Sequence, residues 1–192
     1  SVAKSNSTIN DETKVTIGSS GNIDAEGQID IDAQSDANNG NRGEIQADAS
    51  GFGGGTGADS ESNLTYRSVV TTPVGASTIR GGTVAKIRER STRIDLEADA
   101  DAEAGAAMSF SDSDATVRTD SDVNLDINGA DITGADRVIL EAKHQSIDTK
   151  AEADTDFKAA TGTSNADAKS EQKTFTQMDV DSATIIKTRD LD

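Results

Sequence analysis

"GNIDAEGQIDIDA", residues 21–33, alternates a small or apolar residue with a polar one along its whole length. "ADITGADRVILEA", residues 130–142, has much the same rhythm. A period of two puts successive side chains on opposite faces, the pattern of a half-buried strand. A helix would space its apolar residues three and four apart, and that spacing is missing despite the many alanines. The phrase therefore reads as strand, and its recurrence reads as a repeat.

With Ile23, Ile79, Ile132 and Ile185 as anchors, the spacings are 56, 53 and 53 residues. Six residues beyond each anchor stand Ile29, Ala85, Val138 and Leu191, and eight beyond stand Ile31, Ile87 and Leu140. Seven before the last three anchors stand Thr72, Leu125 and Met178, and five before stand Val74, Ile127 and Val180. The first copy joins these columns through Val15 and Ile17 with one extra residue.

A second block follows each anchor, starting at Ile45, Ile94 and Ile147. It leads into an Ala/Ser/Thr-rich excursion that leaves through Ala98, Ala100, Ala102, Ala104 and Ala106 and returns through Ala115, Val117, Thr119, Ser121 and Val123. The parity of each column persists into the third copy at Ala168, Ser170, Gln172, Thr174 and Thr176. Reversals are expected at "SFSDSD" (109–114), "TGTSN" (161–165) and "GFGGGTGADSES" (51–62), where turn-forming residues concentrate. "NNGNRG" (38–43) is an insertion in the first copy, and Pro73 is expected to mark a rung edge or a bulge.

A period near 50 residues points to a solenoid or a propeller. Propeller blades need four strands joined by tight turns, and these are not evident. The fold class expected is all-β: a parallel β-solenoid, a right-handed β-helix with rungs of about 53 residues and flattened Ala/Ser/Thr-rich arms. Ile, Leu and Val would fill a small trunk. The arms would be thin, because Ala cannot hold sheets the usual ~10 Å apart. Residues 1–192 form one continuous array, with repeats at approximately 23–78, 79–131 and 132–184 and partial rungs at both ends. Such an array reads as a fragment of a longer chain.

Composition agrees with thin layers. Hydrophobic residues make up 33% and aromatics 3%, too few for a thick core of large side chains. The net charge of −17 repels nucleic-acid phosphates and anionic membrane surfaces. Without cysteine there is no disulfide or thiolate chemistry. No apolar run approaches the ~20 residues of a membrane helix.

The trunk phrase "VTIGSSGNIDAEGQIDIDA" (15–33) resembles the repeats of filamentous-haemagglutinin-like surface proteins of bacteria. "GASTIRGGTVAKI" (75–87) and "NGADITGADRVILEA" (128–142) match more loosely. The resemblance implies a right-handed β-helix in a very long, exported fibrous adhesin. It implies a bacterial cell-surface or extracellular location, and it supplies no active site.

Outward positions stack in the same register. Asp30 meets Lys86, and Asp32, Arg88 and Glu141 form a column of alternating sign. On the arms like charges coincide: Asp99 with Glu152, Asp101 with Asp154, Glu103 with Asp156, and Asp126 with Asp179. Like charges directly opposite destabilise a sheet. Salt screening relieves this without any site. The alternative is a bridging calcium ion, which takes carboxylate and carbonyl oxygens, with Asp99, Asp101, Glu152, Asp154, Asp126 and Asp179 as metal ligands.

No catalytic constellation emerges. His144, the only histidine, falls at an expected corner, where a solvated turn residue is the simple reading. "GFGGGTG" lacks the Lys-Ser/Thr of a phosphate loop. Carboxylates spread along every rung, without the aromatic platform of sugar-processing sites. Tyr66, Phe52, Phe110, Phe157 and Phe175 are the aromatics present. The sequence therefore reads as no enzyme but a structural repeat segment: a stiff fibre, stalk or adhesin spacer. Its partners would be neighbouring repeats of the same chain or other copies of itself, and a cell-surface or matrix ligand. The alternatives are a cation-linked adhesive module, with the stretch around Tyr66 and Phe52 as its exposed aromatic candidate, and a self-assembling extracellular filament subunit.

Overall fold

Alternation over long stretches leaves the backbone few choices. Side chains of one parity are buried, and the backbone groups of each strand find their partners in strands far away in sequence. The computed structural model describes residues 1–50 and 55–191, with backbone only at 38–43 and 45. Its elements are β1 (Val2–Lys14), β2 (Asn22–Ala25), β3 (Ile29–Ser50), β4 (Gly55–Val74), β5 (Thr78–Gly81), β6 (Val84–Ile127), β7 (Asp131–His144), β8 (Ile147–Val180) and β9 (Ile185–Leu191). Among the described residues there is no helix, and every ladder between these strands is parallel. The chain is all-β with a parallel sheet, an architecture consistent with a β-solenoid or β-helix.

The ladders arrange the strands in tiers. β2, β3 and β4 make the first, β5 and β6 the second, β7 and β8 the third. β1 lies against β4, and β9 against β7. β4 meets β6, and β6 meets β8, at a constant offset of 53 residues, from Gly55 opposite Met108 to Ile127 opposite Val180. The trunk columns stand as the spacing indicates. Ile23, Ile79 and Ile132 align, as do Ile31, Ile87 and Leu140. Ile17 bridges Val74.

Two register expectations need correction. The fourth trunk anchor is Ile186, which pairs with Ile132, while Ile185 is 52% exposed opposite Asp131. The turn at 181–184 places one extra residue before β9, and an irregularity between Gly134 and Arg137 restores Leu191 opposite Val138. In the first tier Ala37, not Ile45, is the counterpart of Ile94, and Ile45 lies opposite Ala100. The extra residues are taken up as a bulge between Ala37 and Asn41, so the outgoing leg stays in register to Ser50.

The reversals also move. Even-numbered positions from Ile94 to Ala104 are buried, then odd-numbered ones from Ser109 to Ile127. Parity flips across residues 105–108, so the turn lies there and Ser109, Ser111 and Ser113 of "SFSDSD" point inward. In the third tier Thr155 hydrogen-bonds Ser164 across the same reversal, ahead of most of "TGTSN". Residues 51–54, which include Phe52 and part of the remaining expected turn, lie outside the described residues.

Pro73 coincides with a break in one ladder. β1 follows β4 as far as Lys14 opposite Thr71, the Val15 amide still donates to the Thr71 carbonyl at 3.1 Å, and pairing resumes at the Ile17–Val74 bridge. Proline lacks the N–H that would continue the ladder, though its carbonyl still accepts from the Ile17 amide at 3.0 Å. The upper side of β4 remains paired through Pro73 and Val74.

Four apolar clusters fill the interior, one of them Ala33 with Val70 and Val123. The trunk core contains Ile79, Ile87, Leu125, Ile127, Ile132 and Val138. The inner arm packs Ile94, Leu96, Ala98 and Ala100 against Ala115 and Val117, with Leu64 and Tyr66 from the tier below. Farther out the apolar contacts are between alanines, Ala102 and Ala104 with Ala47 and Ala58, beside the inward serines. The legs are close enough for the Ser113 hydroxyl to donate to the Ala100 carbonyl. Small side chains thus set the thickness of the arm.

Candidate functional site

The acidic columns form in the expected register. Asp99 lies opposite Glu152, Asp101 opposite Asp154, Glu103 opposite Asp156, and Asp126 opposite Asp179. Asp101, Glu103, Asp154 and Asp156, with Gln46 and Ala102, line a shallow groove of about 180 Å³. Burial pushes the Asp101 carboxyl above the usual range, and the charges of Asp99, Asp154, Glu44 and Glu152 add to the shift. Asp114 is raised in the same way, by burial first and then by Asp112 and Asp167.

Lysines offset part of this repulsion. Lys158 reaches Glu103 at 2.7 Å and Asp156 at 3.2 Å. Lys150 pairs with Glu97 at 3.1 Å and also with Glu152. Asp126 accepts from the Asn128 amide at 2.8 Å, and Asp179 from that of Gln177. Among the described residues no group of three or more His, Cys, Asp or Glu side chains is placed to hold a metal ion. Asp99, Asp101, Glu152 and Asp154 share the arm, whereas Asp126 and Asp179 lie at the trunk end of the return leg.

The opposite-charge face is tighter. Arg88 grips Asp30 at 2.6 Å and approaches Asp32 at 3.5 Å, and Arg90 also pairs with Asp32. The Arg88–Asp30 and Arg90–Asp32 pairs run diagonally, because an arginine side chain reaches past its directly opposite neighbour, whereas Arg88 and Asp32 face each other. They tie the first tier to the second, and each contributes at most about 1 kcal/mol at such exposure.

The sequence reading fills the interior with Ile, Leu, Val, Ala, Ser and Thr, yet Asp11, Tyr66 and His144 also turn inward. Asp11 aligns with Ser68 and accepts from Ser35 Oγ at 2.5 Å and from the Tyr66 hydroxyl at 3.4 Å. Tyr66 is only 1% exposed, so it offers no exposed aromatic surface. His144 is not a solvated corner residue. It shares the inward column of Ser91, and its ring nitrogens lie 2.9 Å from Ser121 Oγ and from Thr176 Oγ1. Burial lowers its pKa, with a smaller opposing effect from the Ser121 backbone.

Glu89 is the most unusual of these. It stands between Ala33 below and Ala142 above, and it is 0% exposed. Neither carboxylate oxygen has a side-chain partner, and the Asn124 and Thr72 backbones approach it without a fully formed hydrogen bond. Burial raises its pKa to about 7, against a weaker opposing pull from the Asn124 and Thr72 backbones. The signal was present in "VAKIRERS" (84–91), since Glu89 has the parity of Ala85 and Ile87. The surface of the chain offers no comparable convergence of chemistry among the described residues. No protein family, curated protein or solved structure matches this chain.

Proposed function

We propose that this chain is a structural segment of a large extracellular bacterial surface protein, acting as a stiff fibre, stalk or adhesin spacer. Its tiers are read as rungs of about 53 residues in a right-handed β-helix, each with a flattened arm. One observation carries the reading: β6 is paired on both sides along most of its length, with β3 and β4 below and β7 and β8 above. Tiers that bury one another's edges extend along one axis, and their stability comes from neighbour-to-neighbour contact. The resemblance of residues 15–33 to filamentous-haemagglutinin-like repeats supports the extracellular setting.

The test is electron microscopy of the native material from its source, together with the intact chain mass. The reading expects long thin surface fibres built from very heavy chains. Compact particles without fibres would overturn it, and fibres of light chains would replace it with a self-assembling filament.

A further inference from the structure

Glu89 occupies a position that its column keeps for alanine. Ala33 and Ala142 flank it along the axis, and Val70 and Val123 line the facing leg. Its buried carboxylate has no side-chain partner and only weak approaches from the Asn124 and Thr72 backbones, and the hydroxyls of Thr72 and Ser91 on neighbouring inward columns are unpaired. An ionised carboxylate in such a place is strongly disfavoured, whereas a neutral carboxyl is tolerated.

No facing element supplies a compensating charge. β3 contributes Ala33, while Asp32 points outward and is held by Arg88 and Arg90. β7 contributes Ala142, with Glu141 outward and paired to Lys143. The facing legs contribute Val70 and Thr72 from β4 and Val123 and Leu125 from β6. The inward ionisable groups nearby are Asp11, engaged by Ser35 and Tyr66, and His144, engaged by Ser121 and Thr176.

We propose that Glu89 is a pH-operated weak point of the middle tier: neutral, it packs between Ala33 and Ala142; ionised, it loosens the stacking at the base of the arm. The device needs only the fold, so it stands or falls independently of the stalk reading.

The direction follows from linkage. Glu89 titrates at about 7 when folded, against 4.5 unperturbed. Between those values the folded chain keeps a proton that the unfolded chain has released, so stability falls as pH rises through this window. Above it the loss is complete. It corresponds to about a 300-fold fall in the local folded-to-unfolded ratio.

The experiment compares the whole chain with Glu89→Gln. Carbon-13 NMR follows the Glu89 carboxyl, and thermal melts are recorded at about pH 5 and pH 8. The carboxyl is expected to titrate near neutrality. The wild-type chain should melt several degrees lower at the higher pH, and Glu89→Gln should remove most of that difference. If Glu89→Gln folds poorly, Glu89→Ala, which matches the two neighbours in the column, serves the same comparison. A carboxyl titrating in the ordinary range, or an unchanged pH dependence in the variant, would overturn the proposal.

Discussion

Replacing Ala100 with leucine tests the thin arm directly. Ala100 is 0% exposed, packed with Ala98, Ala115 and Val117. Its carbonyl accepts from Ser113 on the opposite leg. Three added carbons have nowhere to go unless the legs part, and parting them also breaks the Ser113–Ala100 hydrogen bond, leaving the Ser113 hydroxyl with Ser60 alone. Overpacking typically costs about 1–3 kcal/mol, and the lost hydrogen bond adds roughly 1 kcal/mol. For a chain of this size that corresponds to a melting point lower by about 4–16 °C. Ala153 provides the control, because it stands in the same column but is only half-buried. Ala153→Leu should cost clearly less. Circular dichroism melts of both variants measure the difference. A melting point for Ala100→Leu within a degree of the parent, or a larger loss for Ala153→Leu, would refute the close contact of the legs.

Leu140→Asp places a charge in the column of Ile31 and Ile87; urea unfolding should show a loss of about 2–4 kcal/mol. Ile186→Asp should lower the melting point while Ile185→Asp leaves it nearly unchanged, since Ile186 pairs with Ile132 and Ile185 is exposed. Asp101→Asn should raise stability at neutral pH by up to about 1 kcal/mol by relieving like-charge contact. The Asp101 pKa is raised in the fold, so stability falls as pH rises through it, and the advantage of the variant should vanish in melts taken below the ordinary carboxylate range.

The trunk was legible because its spacing is almost rigid. Ile79, Ile87, Ile127 and Ile132 find their partners where counting puts them, since a one-residue slip would turn every buried side chain outward. Counting failed where the backbone absorbs a residue without changing the columns. The bulge after Ala37 hid the true counterpart of Ile94, and the extra residue before β9 exchanged Ile185 for Ile186. Composition misplaced the reversals. "SFSDSD" has turn chemistry, yet its serines face inward where a thin arm accepts small side chains, and the legs turn at residues 105–108. Charge misled in a similar way. His144 reads as a solvated corner because such groups are usually solvated, and the sequence reading makes no use of Glu89 or Asp11, although parity assigns all three to inward columns. The acidic strip on the arm was fully readable, because exposed columns need only the register.

Register is the central claim, and the absence of cysteine from the sequence makes it directly measurable. Thr116 and Lys169 lie opposite each other on β6 and β8, whereas Lys173 is four residues farther along. Paired parallel strands bring opposite Cα atoms to about 4.8 Å, and a four-residue displacement adds roughly 13 Å. Only the first separation suits a disulfide. The variant carrying Thr116→Cys and Lys169→Cys should therefore lose two hydrogens from its intact mass on mild oxidation and remain monomeric. The variant carrying Thr116→Cys and Lys173→Cys should stay reduced or link only between molecules. Closure of the second pair in preference to the first would contradict the stacked register.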